Sequence, residues 1–115
     1  MEKVFDFKKR SLSFARAINV YVRNLPLDIP NRENGKQLVR AAGSIGANYI
    51  EADDCLGDRD RLMRLRISRK EARETLFWID LTEPHKQFIN EKISLMCETD
   101  ELLRILSAIL NKEEK

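Results

Sequence analysis

Apolar and charged residues alternate along this chain with the three- and four-residue steps of amphipathic helices. Leu12, Ala15, Ile18, Val22 and Leu25 trace the first stripe, predicting a helix from about Lys8 to Asn24. Pro26 stops it, because proline lacks an amide donor and restricts the residue before it. The stretch Pro26-Leu27-Asp28-Ile29-Pro30 reads as a stiff connector. A second helix is expected over residues 31–55, with Asn31 as its N-cap and Leu38, Ala41, Ala42, Ile45, Tyr49 and Ala52 on its apolar side. Its middle is unusually small: Ala41, Ala42, Gly43, Ser44, Gly46, Ala47. Each glycine costs about 1 kcal/mol in a helix relative to alanine. Close approach of a neighbouring helix is the expected reason for tolerating two.

Gly57 marks the next turn, Asp58 is expected to cap the third helix, and that helix should run over residues 58–82 to Glu83-Pro84. Stepping 100° per residue places Leu62, Leu65, Ala72, Leu76 and Ile79 on one side. Met63, Ile67, Phe77, Trp78 and Leu81 form a second apolar side. One stripe suffices inside a bundle, so the second predicts packing against something further, most economically another copy of the chain. The fourth helix is expected over 90–111, with Ile93, Met96, Leu102, Leu103, Leu106, Ile109 and Leu110 inward and Lys112-Glu113-Glu114-Lys115 as a frayed tail. The pattern as a whole predicts an all-α domain over residues 1–115, an antiparallel up-down-up-down four-helix bundle. No repeat or low-complexity segment interrupts it.

Composition adds bounds. A chain of 115 residues can bury roughly two-thirds of its unfolded surface. Cys55 and Cys97 lie far apart, without C-x-x-C or a histidine at ligand spacing, so two unpaired thiols at least half-buried in a reducing cytosol are expected. Met1-Glu2-Lys3-Val4-Phe5-Asp6 lacks the apolar centre of a signal peptide, and no apolar run approaches the roughly 20 residues that cross a bilayer. The expected location is cytoplasmic, with no membrane partner.

Net charge is only +2, but it is unevenly placed. Residues 59–73 hold seven basic and two acidic side chains, whereas residues 74–115 hold five and nine. Within the basic segment, Arg59, Arg66, Arg69, Lys70 and Arg73 gather on about a third of the helix circumference. Such a ridge can track backbone phosphates of RNA or DNA, with salt-sensitive affinity. Alternatively the same arginines are balanced by acids of other helices or subunits. Repetition of the patch in a ring-shaped oligomer favours phosphate binding through avidity. Phe77 and Trp78 are candidates for stacking on bases, although Ile67 and Leu81 interleave with them as in a core or interface.

Catalysis finds no support. His85, the one histidine, follows Pro84 in a connector and reads as an exposed loop residue. A general base needs a positioned partner and a cleft, and neither is suggested. Glu51, Glu71 and Glu74 are the candidate carboxylate ligands, but di-iron bundles add Glu-x-x-His pairs that are absent here. Pairing of these glutamates with Arg40, Lys70 or Arg73 is expected instead. The chain is therefore expected to be non-enzymatic, without cofactor, metal or small-molecule substrate.

Two segments also carry a resemblance. Gln37 to Ala52 (QLVRAAGSIGANYIEA) resembles the "RAA-SI-AN--EA" signature of small bacterial four-helix proteins. These comprise the 23S rRNA-intervening-sequence proteins and the accessory variability determinants of diversity-generating retroelements. Ile67 to Ile79 (ISRKEARETLFWI) is similar to the family's second signature, "I--KEA-ET-YWL", with Phe77 where tyrosine is common. The resemblance implies a four-helix protomer assembled as a ring-like homopentamer. In the retroelement branch it further implies a basic scaffold for RNA or DNA and a reverse transcriptase, and members of that branch are far more basic than this chain. The remaining alternative is a protein-interaction module, for example a reverse-transcriptase partner, that does not touch nucleic acid itself.

Overall fold

A computed structural model describes residues 6–114; the reading of the first five residues as lacking a signal sequence lies outside that range. Four helices follow one another: α1 (Phe7–Arg23), α2 (Ile29–Asp54), α3 (Asp58–Leu81) and α4 (Ile89–Glu113), the last preceded by a single 3-10 turn at Lys86–Phe88. Among the described residues there is no strand, and no helix is long and apolar enough to cross a membrane.

The ends of the helices depart from the expected caps. Asp28, not Asn31, caps α2: its carboxylate accepts from the Asn31 amide at 2.8 Å, and Pro30 takes a first-turn position where no amide partner is needed. Asn31 is instead buried, and its side chain donates to the Glu83 carbonyl at 3.1 Å and accepts the Glu83 amide at 2.9 Å. It thus ties the α1–α2 connector to the α3–α4 connector. Gly57 occupies the N-cap of α3, and Asp58 stands in the first turn, where its charge suits the helix dipole. The expected frayed tail is ordered helix to Glu113, because side chains of α3 hold it.

Packing is antiparallel throughout, as successive contacts show. Along α2 and α3, Asn48 meets Arg64, Ile45 meets Ser68 and Arg40 meets Glu74. Phe7 packs on Tyr49 with ring centroids 4.7 Å apart, while Ser11 lies against Gly46 and Val22 against Gly35. Arg10 of α1 makes a bidentate pair with Glu98 of α4, at 2.7 and 2.8 Å. The bundle measures 45 × 32 × 19 Å, about two helix diameters thick.

The core runs through all four helices: Phe14, Ile18 and Tyr21; Leu38, Ala42 and Ile45; Leu65, Ala72 and Ile79; Leu102, Leu106 and Leu110. Burial of that much apolar side chain is the main stabilising term. Buried hydroxyls are each hydrogen-bonded. Thr75 and Thr99 donate to the carbonyls four residues earlier, and Thr82 donates to Ile79, leaving the Tyr21 hydroxyl to donate to Thr82 at 2.7 Å. Two expected core residues, Leu12 and Ile93, are more than half exposed. Both lie at the edge of their stripe, where a four-helix sheath of this thickness leaves them uncovered.

The small middle of α2 divides in two. Gly46 meets the expectation of close approach: a Cβ built there would fall 2.6 Å from Ser11 Oγ and 3.3 Å from Ser11 Cβ. Gly43 does not, since nothing lies within 4 Å of the equivalent point.

Candidate nucleic-acid interface on the third helix

The residues that carry the two signature segments meet across the α2–α3 seam. Ser68 Oγ donates to the Ile45 carbonyl at 2.7 Å in a fully buried position. Ala41 and Ala42 of the first segment, and Ala72, Thr75 and Ile79 of the second, are buried. At the rim, Arg40 Nη2 lies 3.2 Å from Glu74 and 3.4 Å from Glu71. Glu71 Oε1 is shielded from solvent and has no hydrogen-bond partner of good geometry, so the ion pair with Arg40 alone compensates its charge. Lys70 reaches the other oxygen of Glu74 at 3.6 Å. The expected pairing is realised for Arg40, Glu71 and Glu74. It is not realised for Glu51, which is exposed and makes no ion pair among the described residues. Nor do three or more potential metal-ligating side chains come together among the described residues.

The outer side of α3 carries two adjacent ridges. Arg59, Arg66 and Arg73 recur every seven residues, and Met63, Lys70 and Phe77 do the same one step round. Because seven residues are nearly two turns, each set lines up along the helix. Arg59, Arg66, Lys70 and Arg73 are exposed. Arg59 and Arg73 make no ion pair among the described residues; Lys70 is paired with Glu74, and Arg66 with Glu114. Arg69 departs from the expected cluster. It is half-buried, on the side of the helix that bears Leu65 and Ala72, with its Nε shielded and unpartnered.

The second apolar side also divides. Met63, Phe77 and Leu81 stay 51%, 59% and 44% exposed. Ile67 and Trp78 are half-buried, and Trp78 packs against the protomer's own core. Phe77 leans on Trp78 edge-to-face, with centroids 5.1 Å apart. Apolar and basic residues that the helical wheel assigned to separate roles therefore share one outward face. Cys97 is exposed rather than half-buried, and Cys55 is half-buried. His85 is exposed at the start of the 3-10 turn.

Sequence reasoning missed Arg61. It lies five full turns before Ile79, hence on the core side of α3, where a guanidinium must find compensation. Arg61 donates bidentately to Glu113 at 2.8 and 2.9 Å and also to Asp53 and the Ala52 carbonyl, each at 3.3 Å. The hydrogen bonds to Glu113 raise its pKa well above the ordinary arginine value, and in return Arg61 lowers that of Glu113. Its position on the core line was the available signal.

With this geometry in view, comparison with known proteins places the chain. The profile of the 23S rRNA-intervening sequence protein family matches residues 3–108. The chain belongs to that family. A crystal structure of an S23 ribosomal protein family member of unknown function, from Bacteroides thetaiotaomicron, is similar over 91% of this chain and 98% of its own. The two share 30% identity with a TM-score of 0.73. No match is found among curated proteins. This chain thus shares its fold with that S23 family member, and both signature segments serve the α2–α3 seam.

Proposed function

We propose that this protein is a non-enzymatic, oligomeric accessory protein that binds RNA or DNA phosphates through the outer face of α3. The observation that carries the reading is the row Arg59, Arg66 and Arg73, with Lys70 beside it, exposed on one side of a rigid helix. Arg59 and Arg73 make no ion pair among the described residues. The helix fixes the spacing of the row, and the planar guanidinium fork loses little entropy per hydrogen bond to a phosphate. Three or four phosphate contacts per protomer are weak alone and multiply in an oligomer.

The test is a salt titration of binding to a structured RNA and to duplex DNA, on protein whose mass in solution is measured alongside. Affinity should fall log-linearly with salt, by about 0.7–0.9 logarithmic units per phosphate contacted for each tenfold rise in salt. Reversing Arg59, Arg66 and Arg73 to glutamate together should abolish binding with helicity unchanged. Absence of binding at about 50 mM salt, or full binding by the folded triple variant, would sink the reading.

Met63, Phe77 and Leu81 favour a second reading, a protein-interaction module whose arginines only balance acids. Their exposure on the face that also bears Lys70 gives a partner, such as a reverse transcriptase or a further subunit, an apolar centre with a charged rim. Phe77→Asp should then reduce the mass in solution, or release the partner, without unfolding the bundle. A ring of five is the assembly the family resemblance suggests, and sedimentation of the unmodified chain measures it.

A further inference from the structure

The C-terminal end of α4 meets the arginine row of α3 at one member, Arg66. Arg61 holds it there, through Glu113, Asp53 and the Ala52 carbonyl. The next residue, Glu114, is thereby set on Arg66, whose Nε donates to it at 2.9 Å and whose Nη2 donates to the same oxygen. Arg66 is the middle member of its row, and its neighbours Arg59 and Arg73 carry no ion pair among the described residues. A carboxylate is thus held on the middle arginine of a row whose two outer arginines make no ion pair among the described residues.

We infer that Glu114 is an internal occupant of a phosphate subsite centred on Arg66, which an incoming nucleic-acid phosphate displaces. The inference rests on the phosphate-binding reading of α3. Carboxylate and phosphate are taken by the same guanidinium donors, so one anion excludes the other. The two glutamates differ in how firmly they are held. Glu113 is gripped by a 28% exposed arginine with two further partners, whereas Arg66 is 51% exposed and has Glu114 alone. Exposed pairs of this kind are weak enough to be exchanged. Displacement can therefore occur while the anchor at Glu113 keeps α4 in place. Glu114 then tunes affinity and, by opposing weak anions, favours ligands that also engage Arg59 and Arg73.

The experiment is an anisotropy titration of a structured RNA with the full chain and with Glu114→Gln, Arg66→Gln and the double variant, at about 50 and 150 mM salt. Glu114→Gln should bind about two- to fivefold more tightly than the unmodified chain, the range expected from an exposed ion pair. In the Arg66→Gln background the same change should do nothing, because the mask acts through Arg66. Equal binding by Glu114→Gln and the unmodified chain overturns the inference. So does an equal gain in both backgrounds, which would reflect the loss of one negative charge anywhere nearby. If the unmodified chain binds and only the cycle fails, the subsite occupant falls alone. If none of the four proteins binds RNA, the phosphate reading of α3 falls and this inference with it.

Discussion

On its inner side α3 presents Leu65, Ser68, Ala72, Thr75 and Ile79, all fully buried, with every hydroxyl hydrogen-bonded; on its outer side it presents Arg59, Arg66, Arg73, Met63 and Phe77 to solvent. The helix is the same, and its backbone bonds are the same. What differs is how much each side chain's identity matters to folding. Inside, close packing fixes size and shape to within a methylene. Outside, only charge and exposure are left to specify, and the residues there stabilise the protomer little. Retaining costly features on an unconstrained side, such as unbalanced arginines and bare aromatic surface, is what makes that side the candidate for function.

The widest separation of the two sides comes from truncating the inner one. Ile79→Ala should destabilise the bundle by about 3 kcal/mol, read by denaturant unfolding, since a fully buried isoleucine leaves a cavity that rigid neighbours cannot close. A loss below about 1 kcal/mol would mean that the seam does not carry the core as described.

Next come the glycines of α2, which sharpen the same contrast one helix away. Gly46→Ala should destabilise by about 1 kcal/mol, because Ser11 must leave its bond to the Lys8 carbonyl to admit the new methyl. Gly43→Ala should stabilise by about 0.5–1 kcal/mol, because helix propensity improves and nothing is met. Thermal unfolding of the two variants should move in opposite directions.

A smaller effect distinguishes Arg61 from the outer arginines. Glu113 has its pKa lowered in the folded state, so its contribution is present above the ordinary glutamate value of about 4.3 and is lost as pH falls through the lowered folded value. Amide protection in the last turn of α4, measured against the intrinsic rate at each pH, should fall in acid accordingly, with a stability loss of about 0.5–1 kcal/mol. Glu113→Gln should show the lower protection already at neutral pH and no further change from this source.

The smallest effect belongs to the outer side. Arg59→Glu with Arg73→Glu should leave stability within about 0.5 kcal/mol, as neither arginine makes an ion pair among the described residues. A larger loss in the isolated protomer would break the distinction between the two sides.

The family's short segments illustrate how motifs can mislead about where function lies. Glu71 and Glu74 of the second segment suggest carboxylate ligands when read apart from the Arg40, Ala41 and Ala42 run of the first. Folded, the two segments face one another, and their alanines, serine and threonine let two helices approach while Arg40 closes the rim.

By itself the sequence determined the number of helices, their order and their inward stripes, because a helix of fixed period sorts residues into faces wherever it is later placed. It also placed Arg59, Arg66, Lys70 and Arg73 outward along one side of α3. Tertiary structure alone decided what covers each face. The sequence could not foretell that Leu12 and Ile93 lie at uncovered edges, that Trp78 turns to its own core, that Arg69 is half shielded, or that Asp28 caps α2 while Asn31 bridges two connectors. Nor did it reveal that the end of α4 reaches Arg61 and Arg66, more than forty residues earlier in the chain. Such pairings depend on the angle and register at which helices pack. Those follow from the whole core settling together, and no local pattern contains them.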